Sequence, residues 1–224
     1  MNTAATKPQT CFKVLLVEDH PMFREHLGQL INRDLGMEVC GETDNVTDAF
    51  RCIQETRPDI TILDLTLRGS NGLELLKNLK AHQISSNILV LSMHAEEIYA
   101  ERSLRAGARG YITKNEASSE VVHAIRQVMA GHLYVSQSLN ARIVQRRVKK
   151  PDPSPSNLDG LADRELEVFS LLGRGKSTRE IAAALHIGES TVETYRSRIK
   201  EKLHLRSTAE LYLWASQWVR DHEG

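Results

Sequence analysis

Four short apolar segments of the chain end in side chains that bind metal ions or phosphate. KVLLVED ends in Glu18 and Asp19, DITILD ends in Asp64, NILVLSM carries Ser92 near its end, and Lys114 follows GYIT. If these segments are neighbouring parallel strands, three carboxylates, a hydroxyl and an ammonium converge at one edge of a sheet. Two like charges 4 Å apart repel by roughly 1 kcal/mol in water and about 4 kcal/mol at a surface-like dielectric. A hard cation such as Mg²⁺ removes that repulsion and prefers oxygen ligands, so the pattern favours a magnesium site.

The elements that must position these side chains alternate between strand and helix. The runs VLLV, ITIL and ILVL are nearly continuous in apolar residues, as expected for parallel strands buried on both faces. Five strands that alternate with helices predict a doubly wound parallel sheet. A single acidic residue at a strand end is more often a turn or cap residue, so the full set of five favours a functional pocket. We predict strands at 13–19, 37–42, 59–64, 87–93 and 110–113, and helices at 21–33, 46–56, 73–82, 96–106 and 116–130.

The composition excludes several classes of protein. Lysine plus arginine number 29, as do aspartate plus glutamate, so the chain as a whole is neither basic nor acidic. No apolar run approaches the roughly 20 residues that span a bilayer, and MNTAATKPQT lacks the apolar core of a signal peptide, so we expect no membrane segment. The three cysteines fit neither a zinc site nor a disulfide framework, which favours a reducing, cytoplasmic location.

The C-terminal third has the pattern of an all-α unit of four helices. An Ala-rich helix, a tight turn through the tripeptide HIG and a polar helix form a helix-turn-helix. The stretch GRGKS imitates a phosphate loop, but no strand precedes it, so we interpret it as a helix C-cap turn. We predict helices at 162–173, 177–185, 191–203 and 207–218, with capping boxes Ser177 with Glu180, Ser190 with Glu193, and Ser207 with Glu210.

The polar helix STVETYRSRIKEKL is either a DNA-recognition helix or the charged outer face of a small bundle. Five cations and two acids lie between residues 190 and 206. Val192, Ile199 and Leu203 would face inward, which leaves small hydroxyl residues and cations outside. Small residues let a helix enter the major groove, and arginine and lysine reach phosphates and guanine edges. The pattern favours binding of double-stranded DNA.

Residues 12–132 resemble the receiver domain of two-component response regulators through VEDHPMFR, ILDLTLRGSNGLELL, LSMHAEE and RAGARGYITK. The resemblance implies a flavodoxin-like strand order 2-1-3-4-5 and a phosphoryl group that Asp64 accepts from a sensor histidine kinase or phosphotransfer protein. It also implies a Mg²⁺ ion held by Asp19, Asp64 and the backbone carbonyl of Thr66, with Glu18 acting through a metal-bound water.

The same resemblance assigns the remaining pocket residues. Lys114 would pair with the phosphoryl oxygens, Ser92 would hydrogen-bond the phosphoryl group, and Tyr111 would be the aromatic switch. Two positions depart from the family: Arg68 replaces a proline near the rim, and His94 lies where the family tunes phosphoryl lifetime. A haloacid dehalogenase-type hydrolase needs a second aspartate two residues after the nucleophile, where this chain has Thr66, so a phosphatase is disfavoured.

Residues 158–220 resemble the LuxR/NarL-type DNA-binding domain through LADRELEVFSLLGRGKSTREIAAALHIGESTVETYRSRIKEKL. Many members carry lysine where this chain has Glu193, which either closes the capping box, as we prefer, or accepts a hydrogen bond from a cytosine amino group. Asp163 is expected to cap the first helix, since Ala162 replaces the usual threonine. The predicted DNA-binding residues are Ser190, Thr191, Glu193, Thr194, Arg196, Ser197, Arg198 and Lys200, with bases contacted by Glu193, Thr194 and Ser197.

Taken together, the sequence predicts a phosphorylation-controlled transcription factor and not an enzyme. It would comprise a receiver at 12–132, a partly helical basic linker at 133–157 and a helix-turn-helix domain at 158–220. Phosphorylation is expected to release the DNA-binding domain, to favour a homodimer, or both. The alternatives are a receiver whose phosphorylation is vestigial, a phosphatase, and an adaptor whose helical domain binds protein instead of DNA.

Overall fold

The computed structural model describes residues 11–67, 70–93, 96–136, 139–141 and 158–223. The chain divides into two compact units, Met1–Ser136 and Gln137–Gly224. Arg68, His94 and most of the predicted linker lie outside the described residues. Among the helices that are described, none is both long enough and apolar enough to cross a membrane.

The first unit is built on a five-stranded parallel sheet. Its strands lie in the order β2-β1-β3-β6-β7, which is the predicted order 2-1-3-4-5 once two short hairpin strands are included in the numbering. The buried strands are dominated by Val, Ile and Leu, and β3 is buried along its whole length. The sheet strands are β1 (Phe12–Val17), β2 (Met37–Thr43), β3 (Ile60–Asp64), β6 (Asn87–Ser92) and β7 (Gly110–Thr113).

Helices cover the sheet. The apolar sides of α1 and α5 join β1, β3, β6 and β7 in one core cluster, which includes Leu27, Ile31, Val121 and Ile125. Asn45 caps α2 by accepting a hydrogen bond from the Asp48 N–H at 2.9 Å. The helices are α1 (Pro21–Asn32), α2 (Val46–Thr56), α3 (Gly72–Ala81), α4 (Glu96–Ala106) and α5 (Ala117–Met129), so the predicted α/β alternation is confirmed.

A short hairpin with two residues in each strand, which the sequence pattern did not predict, lies between β3 and α3. Its strands are β4 (Thr66–Leu67) and β5 (Ser70–Asn71), which pair antiparallel. Asn71 then caps α3 by accepting from the Leu73 N–H at 2.7 Å. The hairpin therefore sets where α3 begins relative to the end of β3.

The second unit is helical in its described part. A 3₁₀ turn at Leu158–Gly160 leads into α6 (Asp163–Gly173), α7 (Thr178–Leu185), α8 (Glu189–Lys202) and α9 (Thr208–Glu223). Leu166, Phe169, Ile181, Val192 and Leu211 are among its buried residues, and the Phe169 ring meets the Trp218 ring edge to face at 5.6 Å. The turn between α7 and α8 begins at His186, which ends α7 in the left-handed conformation that is common at the C-terminus of a helix.

The predicted helix starts are only partly right. The box of Ser177 with Glu180 is confirmed. The box of Ser190 with Glu193 is wrong, because Gly188 precedes the first residue of α8 and Ser190 lies inside the first turn. Asp163 is likewise the first residue of α6 and not its cap; Glu165 accepts from the Ala162 N–H at 2.7 Å instead.

The start of α9 shows half of the predicted arrangement. The Ser207 hydroxyl accepts from the Glu210 N–H at 3.1 Å, as expected. The Glu210 carboxylate, however, accepts from the Arg206 N–H at 2.8 Å and not from Ser207. The last helix also runs five residues beyond the predicted end at 218.

Candidate functional site

The carboxyl edge of the sheet brings together the predicted pocket residues. Glu18 and Asp19 follow β1, Asp64 ends β3, and Ser92 ends β6. All four are nearly inaccessible to solvent, with Asp64 2% exposed. Since β1, β3 and β6 are neighbours in the sheet, the convergence follows directly from strand order.

Lys114 neutralises part of the negative charge in this pocket. Its Nζ lies 2.8 Å from Asp64 Oδ2 and 2.6 Å from Glu18 Oε2, and its side chain is 6% exposed. The ammonium also lies 4.9 Å from the centroid of the Phe23 ring. Lys114 therefore bridges the ends of β1 and β3 from its own position after β7.

The backbone fixes Lys114 and Ser92 relative to each other. The Lys114 N–H donates to the Ser92 carbonyl at 2.8 Å, which continues the pairing of β6 with β7 one residue past the sheet. The Ser92 side chain is fully buried at this edge. Tyr111, the predicted switch residue, lies on β7 and is 1% exposed, so its ring points into the unit.

Four oxygen- or nitrogen-bearing side chains are close enough to hold one cation. Ligand atoms of Glu18, Asp19, His20 and Asp64 all lie within 4.8 Å of one another. His20 Nδ1 lies 2.9 Å from Glu18 Oε1 and 2.8 Å from Asp19 Oδ1. The sequence pattern did not single out His20, which follows the acidic pair and has a largely exposed ring. Three buried carboxylates fit a hard divalent cation.

The electrostatics of the pocket show why a cation suits it. Burial raises the pKa of Asp64 to about 7; the Lys114 ammonium offsets only part of that effect, and the Glu18 carboxylate adds to it. Burial by itself lowers the pKa of Lys114, but the carboxylates of Asp64 and Glu18 outweigh burial and raise it overall. A full set of ionised carboxylates is thus costly without further positive charge.

We expect Mg²⁺ to stabilise the first unit against unfolding. A ligand that binds only the folded state at ten times its Kd adds about 1.4 kcal/mol. Thermal unfolding followed with and without MgCl₂ should show a higher midpoint with the ion. Asp19→Asn should remove most of that increase, whereas Asp44→Asn, an exposed acid in the turn after β2, should retain it. An equal response in both variants would contradict a metal site at this pocket.

Gly72, the first residue of α3, lies directly against the backbone at the end of β3, and the sequence pattern did not identify it. A Cβ at Gly72 would lie 2.3 Å from the Asp64 carbonyl oxygen and 2.9 Å from Leu65 Cα. The Gly72 N–H donates to the Leu65 carbonyl at 2.8 Å, so the start of α3 rests directly on the chain that leaves β3. The signal available in the sequence was a lone glycine at a helix start eight residues after Asp64.

A second candidate site is the exposed face of α8 in the helical unit. Glu193, Thr194, Ser197 and Arg198 are exposed, as predicted, while Val192 and Ile199 are buried. Ser190 is also exposed, and Thr191 and Lys200 are partly buried. The face therefore presents hydroxyls and cations together.

Two cations of α8 are occupied within the unit: Arg196, which is one of the predicted DNA-binding residues, and Lys202, which is not. Lys202 Nζ lies 2.6 Å from Glu165 Oε2, and Glu165 is buried. Arg196 is 13% exposed, its guanidinium lies 5.3 Å from the Tyr212 ring centroid, and it donates to Glu193 Oε1 at 2.5 Å. In the described part of the chain, Arg198 and Lys200 remain on α8 without such a partner, so they are the side chains best placed to meet an external anion.

The fold and the pocket define a class: a receiver unit and a helix-turn-helix unit in one chain. Residues 14–126 match the family described as "Response regulator receiver domain", and residues 159–215 match "Bacterial regulatory proteins, luxR family". The transcriptional activator protein ExaE of Pseudomonas putida is 35% identical, over 88% of this chain and 92% of its own. The chain belongs to the LuxR family of two-component response regulators, which are transcriptional regulators and not enzymes.

Solved structures agree with this assignment. The crystal structure of a LuxR-family two-component response regulator from Aurantimonas sp. SI85-9A1 is 35% identical with a TM-score of 0.57, over 62% of this chain and 99% of that one. Salmonella enterica serovar Typhimurium RcsB, solved bound to promoter DNA with the phosphomimetic BeF₃⁻, is 23% identical with a TM-score of 0.55 over 92% of this chain and 98% of its own. The second likeness shows the fold. The predictions of family and fold class are confirmed.

Proposed function

We propose that Asp64 is the phosphoacceptor of this response regulator and that its phosphorylation controls DNA binding by the second unit. The observation that carries the proposal is the convergence of Glu18, Asp19 and Asp64 with Lys114 and Ser92 in one buried pocket. The phosphoryl donor would be a sensor histidine kinase or a phosphotransfer protein, and both partners would act in the cytoplasm.

The chemistry we propose is an in-line transfer to the Asp64 carboxylate. An Asp64 oxygen forms a bond to phosphorus while the bond from phosphorus to the donor histidine nitrogen breaks and leaves its electron pair on that nitrogen. The Lys114 ammonium is already 2.8 Å from Asp64 Oδ2, so positive charge stands beside the incoming phosphoryl oxygens. When bound, Mg²⁺ would neutralise the remaining negative charge. We assign it to Asp19, Asp64, the Thr66 carbonyl and, through water, Glu18.

The signal would pass from the acyl phosphate to the surface of the first unit. Phosphorylation adds roughly 1.5 to 2 negative charges at Asp64. We propose that the Ser92 hydroxyl moves to donate to the new group and that Tyr111 reorients with it, which changes the surface formed by α4, β7 and α5. This change would release the helix-turn-helix unit, favour a homodimer, or both.

The DNA-binding element we propose is the exposed face of α8 in the major groove. The surface residues are Ser190, Thr191, Glu193, Thr194, Ser197, Arg198 and Lys200, and RcsB, with the same fold, was solved on promoter DNA. Dimerisation would matter because affinity rises steeply with the number of phosphates contacted. Exposed Leu213 on α9 offers an apolar contact for a second copy.

We keep the domain boundaries proposed from the sequence: 12–132, 133–157 and 158–220.

Footprinting of the full chain on DNA, with and without a small-molecule phosphodonor, tests the proposed function. Wild-type protein should protect DNA at a lower protein concentration after treatment with the phosphodonor. Asp64→Ala should need the same protein concentration with and without the donor. Protection that increases equally in Asp64→Ala would place the controlling site elsewhere. An absence of protection under every condition would favour a protein-binding adaptor.

The two cation environments on α8 give a further prediction. Each phosphate contact contributes about −0.9 to the slope of log K against log salt concentration, so Arg198→Ala should flatten that slope by about 1. Lys202→Ala removes the same charge but leaves buried Glu165 without its ammonium partner. It should leave the slope unchanged and lower the thermal midpoint. Salt titrations by fluorescence anisotropy and melting curves of both variants separate the two effects; an unchanged slope in Arg198→Ala would exclude that phosphate contact.

A further inference from the structure

Glu193 is held in a fixed position on the exposed face of α8. Its Oε1 accepts from the Thr178 hydroxyl at 2.9 Å and from Arg196 Nη1 at 2.5 Å. Arg196 Nη1 also donates to the Thr178 hydroxyl at 3.2 Å, which closes a three-residue link between α7 and α8. The two helices of the helix-turn-helix are therefore joined through one oxygen of Glu193.

The second oxygen of Glu193 remains available. The Glu193 side chain is 54% exposed, and within the described residues Oε2 has no hydrogen-bond or ion-pair partner. Arg196, itself 13% exposed and placed over the Tyr212 ring, neutralises the carboxylate charge from the protein side. The contacts with Thr178 and Arg196 therefore leave Glu193 Oε2 as one oriented acceptor exposed to solvent. The positive charge of Arg196 also reduces the repulsion between the Glu193 carboxylate and DNA phosphates.

We propose that Glu193 Oε2 accepts a hydrogen bond from the exocyclic amino group of a cytosine in the major groove, which makes Glu193 a residue that determines sequence specificity. The inference rests on the proposed DNA-binding function of α8. In the major groove cytosine presents only the N4 donor, while guanine presents the acceptors N7 and O6 and thymine presents the acceptor O4. Adenine pairs its N6 donor with the acceptor N7, which repels a carboxylate. An acceptor-only group therefore favours cytosine.

Arg196 has a different role from the one that the sequence suggested. It was predicted to bind DNA, but its guanidinium is directed to Glu193, Thr178 and the Tyr212 ring. We assign Arg196 and Thr178 as positioning residues that fix the rotamer of Glu193. Ser197, four residues further along α8, would lie beside Glu193 on the same exposed surface.

Selection of binding sites from a random-sequence DNA duplex library tests the inference with the full phosphodonor-treated chain. Wild-type protein should select a site with cytosine at one position of each half-site, preferred over other bases by roughly 5- to 100-fold. Glu193→Ala should lose the preference at that position alone. Thr178→Ala should weaken it, because Oε1 then keeps only the arginine. Glu201→Ala removes an exposed carboxylate from the same helix and should keep the cytosine.

The outcomes distinguish failure of the inference from failure of the proposed function. If Glu193 only joins α7 to α8, Glu193→Ala and Thr178→Ala should lower the melting temperature and select the same sequence as wild type. Selection of adenine at the position sensitive to Glu193 would also overturn the assignment to cytosine. If wild-type protein enriches no sequence at all, the DNA-binding function itself is wrong.

Discussion

Replacing Asp64 with asparagine is expected to abolish acyl phosphate formation and, in the same molecule, to stabilise the folded state at neutral pH. The amide has no anionic oxygen to attack phosphorus, so incorporation from a labelled phosphodonor should fall to background. The amide also removes a buried charge whose ionisation is unfavourable in the fold, where the pKa of Asp64 is raised to about 7. We expect a gain of a few kcal/mol without Mg²⁺, since one pKa unit corresponds to about 1.4 kcal/mol and the raised pKa already includes the attraction of Lys114.

The pH dependence of this stabilisation follows from the direction of the pKa shift. The carboxyl of unfolded Asp64 ionises near 3.8, whereas the folded one keeps its proton up to about 7. Between these values the folded state binds more protons, so the wild-type contribution falls as the pH rises. The difference between Asp64→Asn and wild type should be small near pH 4 and largest above pH 7. Denaturant unfolding with EDTA across this range measures it.

A matched control distinguishes an effect of the pocket from the effect of removing one negative charge anywhere in the unit. Asp44→Asn removes one exposed acid from the same unit and should keep both the phosphorylation and the pH profile of wild type. A difference between Asp64→Asn and wild type that grows toward low pH would have the wrong sign. Such a result would mean that Asp64 is stabilised as a carboxylate in the folded protein.

Gly72→Ala is expected to have the largest effect on the architecture of the pocket. The new Cβ would lie 2.3 Å from the Asp64 carbonyl oxygen, and that oxygen belongs to the backbone and has no rotamer by which to withdraw. Either α3 or the end of β3 must shift. Overpacking of this kind costs about 1–3 kcal/mol, and at this contact we expect at least the upper value. The melting temperature and the rate of phosphorylation per folded molecule should both fall.

Gly28→Ala is the matched control for Gly72→Ala. Gly28 lies inside α1, and its Cβ would meet Glu42 and Leu16 at ordinary distances of 3.6 and 3.7 Å. Alanine is favoured over glycine within a helix by about 1 kcal/mol, so this variant should be neutral or slightly stabilised. If Gly72→Ala behaves like Gly28→Ala, the approach of α3 to β3 has no role in holding Asp64.

The sequence predicted the pocket well because parallel strands place their carboxyl ends at one edge. Strand order brings Glu18, Asp19, Asp64 and Ser92 together, and each lies at or just beyond the end of its strand, as the apolar runs indicated. Periodicity also gave the buried and exposed faces of α8, since Val192 and Ile199 are seven residues apart and both buried. Patterns of this kind depend only on local geometry.

What the sequence did not predict depends on contacts between distant segments. The hydrogen bond from Thr178 to Glu193 joins residues on two helices, and the partner of Lys202 is Glu165 on a third. A motif of Ser190 followed by Glu193 suggested a cap, but the helix begins at Glu189. The Glu193 carboxylate accepts a hydrogen bond from Arg196 instead. The contact of Gly72 with Asp64 likewise arises only when α3 returns to the sheet.

The backbone bond between Lys114 and Ser92 has a consequence for how the protein switches. Lys114 and Ser92, whose side chains are proposed to touch the phosphoryl group from two sides, share a backbone hydrogen bond at the ends of adjacent strands: the Lys114 N–H donates to the Ser92 carbonyl at 2.8 Å. This hydrogen bond fixes the backbone of each residue against that of the other, so the Ser92 side chain rotates on a backbone held in register with Lys114. We expect the Ser92 hydroxyl to move by rotation of its side chain, with the backbone hydrogen bond to Lys114 kept in both the resting and the signalling conformation.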